Sequence, residues 1–250
     1  MNNFRLGGFN ILPVVTKNLL IINGLIFFAQ ITLEKVYHYD LGTHLGLFYF
    51  GSSQFMPIQF ISYMFLHGSF SHLFMNMFAF WMFGSAIENY WGPKRFLTYY
   101  MITGIGAGLI QQLVAWLRIS GASTGVDPLA IQQIANEGFQ ILDSGQNFVD
   151  PGLANLNVLY NMSTIGASGS VFGILLAFGM MFPNALIYLY FAIPVKAKWF
   201  VLGYGAVELY SGFANQAGDH IAHFAHLGGM LFGFILIKYW KNKDLHFKQF

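Results

Sequence analysis

Six stretches of this chain are apolar for roughly the twenty residues that a helix needs to cross a bilayer. They run approximately over residues 16–35, 69–90, 95–118, 168–182, 198–215 and 220–239. Only 9% of the 250 residues are charged, against about 25% in ordinary soluble domains. A surface so poor in charge faces lipid, and the length suits one compact bundle spanning residues 1–250. Within the first stretch, the apolar run from Leu19 to Leu33 is preceded by Arg5 and Lys17 and followed by Glu34-Lys35. No small-residue cleavage pattern follows it, so it reads as a retained helix and not as a removable leader.

Charge also orients the segments. With six spans, one side holds Arg5, Lys17, Lys94, Arg95, Lys196, Lys198, Lys238, Lys241, Lys243 and Lys248, ten of the twelve basic residues. The other side holds only Lys35 and Arg118. The excess of basic residues in cytoplasmic loops predicts both termini in the cytoplasm, as in a bacterial inner (cell) membrane. A net charge of +2 with no basic stripe excludes nucleic acid as a partner. With no cysteine, thiol nucleophiles, disulfides and zinc-thiolate sites drop out together.

Two connections on the outer side are unusual. Residues 37–66 are aromatic-rich but broken by Gly and Pro, and are expected to lie in the interface. Residues 119–163 form a long polar connection in which Asp127-Pro128 marks a helix start. Ile131, Ile134, Ala135 and Leu142 would share its buried face, and Gly145 would close it. That helix is expected to rest on headgroups.

The fourth segment is the informative one. From Ser168 to Phe182 it has 15 residues, about 22 Å of helix against a hydrocarbon core of roughly 30 Å. If Pro183 marks the cytoplasmic end, Ser168 starts its helix below the outer surface; the alternative is a helix that runs on through the proline into the apolar stretch resuming at Ala185. Irregular backbone at that depth is tolerated only beside protein or water, so Gly166-Ala167-Ser168-Gly169 should line a wet cavity. Two roles stay open for the serine on this segment alone. It can cap the helix, or it can act as a nucleophile. Gly169-x-x-x-Gly173 is a small-residue packing pattern, and Gly229-x-x-x-Gly233 repeats it in the sixth segment. Close packing of these two segments would bring Ser168 to His226.

Ionisable residues inside a membrane are functional candidates. His67, His72 and Asn76 head the second segment, with His72 and Asn76 on one helical face; His220, His223 and His226 head the sixth. Zinc hydrolysis by an H-E-x-x-H device needs a His-Glu pair, and none exists. An aspartyl mechanism needs two facing carboxylates. Asp219 has Gln216 where a G-x-G-D motif requires glycine, and no second membrane aspartate is evident. A serine mechanism needs a nucleophile, a base and oxyanion donors, and Ser168, His226 and the His72/Asn76 pair supply all three. Asp219, seven residues before His226, is too far along a helix to orient it. The expectation is a dyad, with Phe172, four residues after Ser168, holding the imidazole by ring packing. His67 reads as structural, His223 as lining or packing, Glu88 as structural, and Glu208 as buried or at a gate.

These residues resemble the rhomboid intramembrane serine proteases. The matching motifs are Gly166-Ala167-Ser168-Gly169, Ala225-His226-Leu227-Gly228-Gly229, the His67/His72/Asn76 spacing, and the run from Glu88 to Phe96 at the second-to-third junction. The likeness covers about residues 55–240. It implies an all-α membrane protein, a six-transmembrane-helix rhomboid-like bundle with an outward-opening aqueous cavity. It implies Ser168 as nucleophile, His226 as base, and His72, Asn76 and the Ser168 backbone N–H as the oxyanion hole. The implied partners are the lipid bilayer and transmembrane protein substrates, cut near the outer boundary, with no cofactor and no metal. The first outer loop departs from some relatives by offering Phe48-Tyr49-Phe50 in place of a Trp-Arg pair, and Phe172 stands where some carry tyrosine. The alternative is a catalytically inactive rhomboid-like protein that binds transmembrane helices.

Overall fold

The computed structural model describes residues 9–189, 192–214 and 222–247, the side chains of 243–247 excepted. Each of the six apolar segments carries a helix: α1 (Val14–Tyr37), α4 (Phe70–Trp91), α5 (Pro93–Ala122), α8 (Ser168–Met181), α9 (Ala197–Ala214) and α10 (His223–Phe247). Among the described residues, α1, α4 and α5 are long and apolar enough to cross a membrane, and α8 is a shorter apolar helix. Large apolar side chains such as Phe28, Phe74, Leu113, Leu202, Phe213 and Phe234 point outward and are exposed. That outward face is what a lipid solvent requires.

Local chemistry sets the joints. Pro13 precedes α1 and offers it no side-chain cap. Glu88 of α4 does that work from across the bundle, accepting from the backbone N–H of Val15 (2.9 Å) and Thr16 (2.7 Å) and from the Thr16 hydroxyl (2.8 Å). A carboxylate there satisfies orphan donors and meets the positive end of the helix dipole. Helices α4 and α5 meet at the single residue Gly92, with Pro93 as the first residue of α5.

The core lies where α5, α8 and α10 meet, around the fully buried Phe96, Tyr99, Tyr100 and Ile174. Three side-chain hydroxyls in and around it bond to backbone carbonyls of neighbouring elements. Tyr99 Oη donates to Gly173 O (2.7 Å), Ser170 Oγ to Tyr100 O (2.8 Å), and Tyr63 Oη to Gly104 O (2.7 Å). The small residues are used differently from the expected pairing of two glycine faces. Gly169 and Gly173 are closed in by Ala107 and Thr103 of α5, and Gly233 by Tyr99 of α5. Gly229 alone of these abuts α8, where an added Cβ would strike the Gly169 carbonyl group. Gly229 against Gly169 is thus the point where the two glycine patterns meet, within the packing of α8 on α10.

Three connections depart from expectation. Residues 37–66 contain two short helices, α2 (Leu41–Leu45) and α3 (Gln59–Ser62), and a 3-10 turn at Tyr63–Phe65. Leu47, Phe48 and Tyr49 fold inward, while Phe50 stays exposed. Gln59 and Gln112 explain the inward turn. Gln112 Nε2 donates to Phe48 O (2.6 Å), its Oε1 accepts from Phe50 N (2.9 Å), and Gln59 Oε1 accepts from Phe48 N (3.3 Å). The 119–163 connection holds α6 (Pro128–Asp143), capped by Asp127, and a second helix, α7 (Pro151–Asn161), capped by Asp150. The same Asp-Pro pair starts both, so the second was announced by the signal that revealed the first. They pack on each other and share a small core of Ile134, Leu156, Ile119 and Tyr49. Finally, α8 stops at Met181, and a hairpin of β1 (Leu186–Leu189) and β2 (Ile193–Lys196), antiparallel, leads to α9.

Candidate active site

Ser168 is the first residue of α8, and the position before it, Ala167, supplies no side-chain cap. The serine hydroxyl is therefore not spent on capping. It lies 2.8 Å from Nε2 of His226. The chain reaches this point through Gly166, whose φ of +133° suits glycine and whose N–H donates to Tyr63 O (2.9 Å). An antiparallel bridge between Leu47 and Thr164 steadies the approach. A Cβ at Gly166 would sit 2.9 Å from His72 Nε2 and 3.6 Å from Ser168 Oγ. Glycine thus clears the space that separates His72 from the serine.

His226 is held on three sides. Its ring stacks on Phe172 with centroids 4.1 Å apart and planes 6° from parallel. Nε2 faces Ser168. Nδ1 lies 2.8 Å from Oε2 of Glu208 on α9. Both His226 and Glu208 are buried. His223, three residues earlier on the same helical face, brings its own Nδ1 to 2.7 Å from the same carboxylate oxygen. No orienting carboxylate was expected, because only Asp219 was weighed, and Asp219, Gln216 and His220 lie outside the described residues. Glu208 fills that position instead. A signal for it existed. It is the one acidic residue in the fifth apolar segment, where a charge is costly unless paired, and two histidines spaced i, i+3 in the next segment were the natural donors.

His72 and Asn76 sit in the first two turns of α4. The Ser69 hydroxyl accepts from His72 N (3.1 Å) and caps the helix. His72 Nδ1 accepts from the backbone N–H of Gly68 (3.3 Å). A neutral imidazole with Nδ1 as acceptor carries its proton on Nε2, the atom beside Gly166. Asn76, buried, donates one amide N–H to His72 O (2.9 Å), and its amide has a second. His67 is buried with its ring edge-on to His72 at 5.1 Å; neither of its ring nitrogens has a hydrogen-bond partner among the described residues.

The assembled groups are a hydroxyl on a histidine nitrogen, a carboxylate on the other nitrogen, and N–H donors nearby. That set is able to activate a hydroxyl and to stabilise an oxyanion. Glu208, His223 and His226 each also present a metal-ligating atom, the three within 4.8 Å of one another. Those atoms are already joined by the two hydrogen bonds to Glu208 Oε2.

A family model described as a rhomboid domain matches residues 54–136 and 143–242. The chain is 28% identical over 176 residues to "Rhomboid protein 1, mitochondrial" of Saccharomyces cerevisiae, covering 70% of this chain and 40% of that protein. It is 28% identical over 168 residues to "RHOMBOID-like protein 12, mitochondrial" of Arabidopsis thaliana, covering 66% and 41%. It is 27% identical over 114 residues to "Rhomboid protease GluP" of Bacillus subtilis, covering 44% and 22%. The chain thus spans at most 41% of the length of these three relatives.

Proposed function

This chain belongs to the rhomboid family, and we propose that it is an intramembrane serine endopeptidase that hydrolyses peptide bonds in or near transmembrane segments. The observation that carries this reading is the 2.8 Å contact between Ser168 Oγ and His226 Nε2, made by a serine with no other task at its helix terminus. In the proposed cycle Ser168 Oγ attacks the scissile carbonyl carbon and its proton passes to His226 Nε2. The carbonyl oxygen, now an anion, is held by the Ser168 backbone N–H, His72 Nε2–H and the second Asn76 amide proton. The C–N bond breaks as Nε2 returns its proton to the leaving amine. Water, deprotonated by the same nitrogen, then attacks the acyl carbon, the ester C–O bond breaks, and Nε2 returns the proton to Ser168 Oγ as the acid is released.

The substrates are transmembrane helices of other proteins, which must unwind locally, since a helical carbonyl is already hydrogen-bonded and shielded. We further propose that α1, α4, α5, α8, α9 and α10 all span the bilayer as one domain. Both termini then lie on the cytoplasmic side, as the basic residues favour, in a bacterial inner membrane. Phe172 positions the base. Incubation of the purified chain with a fluorophosphonate probe tests this proposal. Mass spectrometry is expected to find the adduct on Ser168, and none in His226→Ala. A folded wild-type chain that takes no label is a helix-binding protein and not a protease.

A further inference from the structure

We propose that Glu208 is the positioning residue of His226, so that the hydrolytic device is a Ser168–His226–Glu208 array with His223 anchoring the carboxylate. The inference rests on the assignment of Ser168 and His226 above and deepens it. Two hydrogen bonds converge on Glu208 Oε2, from His226 Nδ1 at 2.8 Å and His223 Nδ1 at 2.7 Å. A carboxylate only accepts, so each Nδ1 must carry a proton. For a neutral His226 that leaves Nε2 bare, the form able to take the proton of Ser168 Oγ at 2.8 Å. The opposite tautomer would turn an N–H toward the serine and could not act as its base.

The same carboxylate serves the next moment of the reaction. When His226 Nε2 takes the serine proton, the ring becomes a cation in a buried site, and Glu208 already stands against it. Glu208 keeps its charge throughout and no proton moves to it. This is how a buried aspartate supports the histidine of soluble serine hydrolases. Ring stacking on Phe172 fixes the plane of the imidazole but cannot choose its tautomer, because both tautomers stack alike. His223 supplies a second donor, which fixes the direction of the carboxylate. Since Glu208 belongs to α9 and both histidines to the first turn of α10, the base is correctly set only while those two helices keep their contact.

The test uses the full chain in detergent micelles, with histidine nitrogens labelled with ¹⁵N and His226 assigned by loss of its signals in His226→Asn. The wild-type spectrum is expected to show His226 protonated at Nδ1 and bare at Nε2. In parallel, cleavage of a transmembrane substrate is measured for Glu208→Ala and for the isosteric Glu208→Gln, which keeps the volume if the alanine variant does not fold. Loss of the wrong-tautomer block costs about 10⁴-fold in kcat in a soluble triad, and a kcat loss of at least about 10²-fold at unchanged KM and unchanged melting is expected here. A wild-type His226 protonated at Nε2, or a Glu208→Gln variant with wild-type kcat, overturns the inference. If the wild type neither cleaves nor labels, the protease assignment fails, while the tautomer spectrum still decides whether Glu208 sets His226.

Discussion

Gly229→Ala adds one carbon where α10 comes up against the backbone of α8. That carbon would fall 2.7 Å from the Gly169 carbonyl carbon and 3.3 Å from its Cα, and closer still to the carbonyl oxygen, whereas ordinary contact begins at 3.4 Å. Gly169 adjoins Ser168, and Gly229 lies three residues after His226, so the parted atoms are the backbone beneath the reacting pair. Relief requires α8 and α10 to separate by at least roughly 0.7 Å, and backbone, unlike a side-chain tip, has no rotamer to escape into. A separation of that size would stretch the 2.8 Å Ser168–His226 contact to the edge of hydrogen bonding. Misplacement near 1 Å costs about 10²-fold in rate, and overpacking costs typically 1–3 kcal/mol in stability. The expected result for Gly229→Ala is a lowered melting temperature and a probe-labelling rate down by about two orders of magnitude. Gly203→Ala is the control, since an added Cβ there meets nothing within 4 Å, and it should leave both properties near wild type. Wild-type labelling and melting in Gly229→Ala would show that this face does not set the distance between serine and histidine.

Other expectations follow from separate contacts. His72→Ala and Asn76→Ala should each slow turnover, about 10²–10³-fold per oxyanion donor lost, with melting little changed; full activity of the double variant would place the hole elsewhere. Glu88→Ala strands the N–H groups of Val15 and Thr16 at the buried start of α1, so melting should fall by the equivalent of about 1–3 kcal/mol, and an unchanged melting curve would contradict the capping role. Gly or Pro near the outer end of a model transmembrane substrate should raise its cleavage, because these residues lower the cost of unwinding by about 1 and 3 kcal/mol relative to Ala. Substrate helices are expected to enter sideways between α4 and α9, so a chemical cross-link engineered between these helices should slow cleavage of that substrate more than cleavage of a soluble unfolded peptide; equal effects on both would rule out this sideways entry.

The helical segments were legible by their apolar character, most plainly α1, α4 and α5, which are long and apolar enough to cross a membrane. The turn before Ser168 was legible for a related reason. Gly166-Ala167-Ser168-Gly169 interrupts the apolar pattern, and Gly166 has the positive φ of an irregular turn. Stacking of Phe172 on His226 followed from placing Phe172 one helical turn beyond the serine and is what the structure has. Glu208 was hidden because its partners are across a helix–helix contact, 15 and 18 residues away, and no periodicity within one segment reports such a pair. The hairpin of β1 and β2 was missed because Leu186 to Ile193 is an apolar run that reads equally as more helix. The paired glycine patterns of the fourth and sixth segments suggested the right neighbours: Gly229 does meet Gly169, while Gly173 and Gly233 lie against α5. Small residues tell that something approaches closely, not what approaches.

The central claim is that Ser168, activated by His226, cuts a membrane-embedded peptide bond. Its most direct test is reconstitution of the wild type and Ser168→Ala into lipid vesicles with a single-span substrate labelled at both ends. The account predicts two complementary fragments from the wild type, joined at one bond near the outer end of the span, and only intact substrate from Ser168→Ala. Intact substrate in both vesicles, or the same fragments in both, would contradict it.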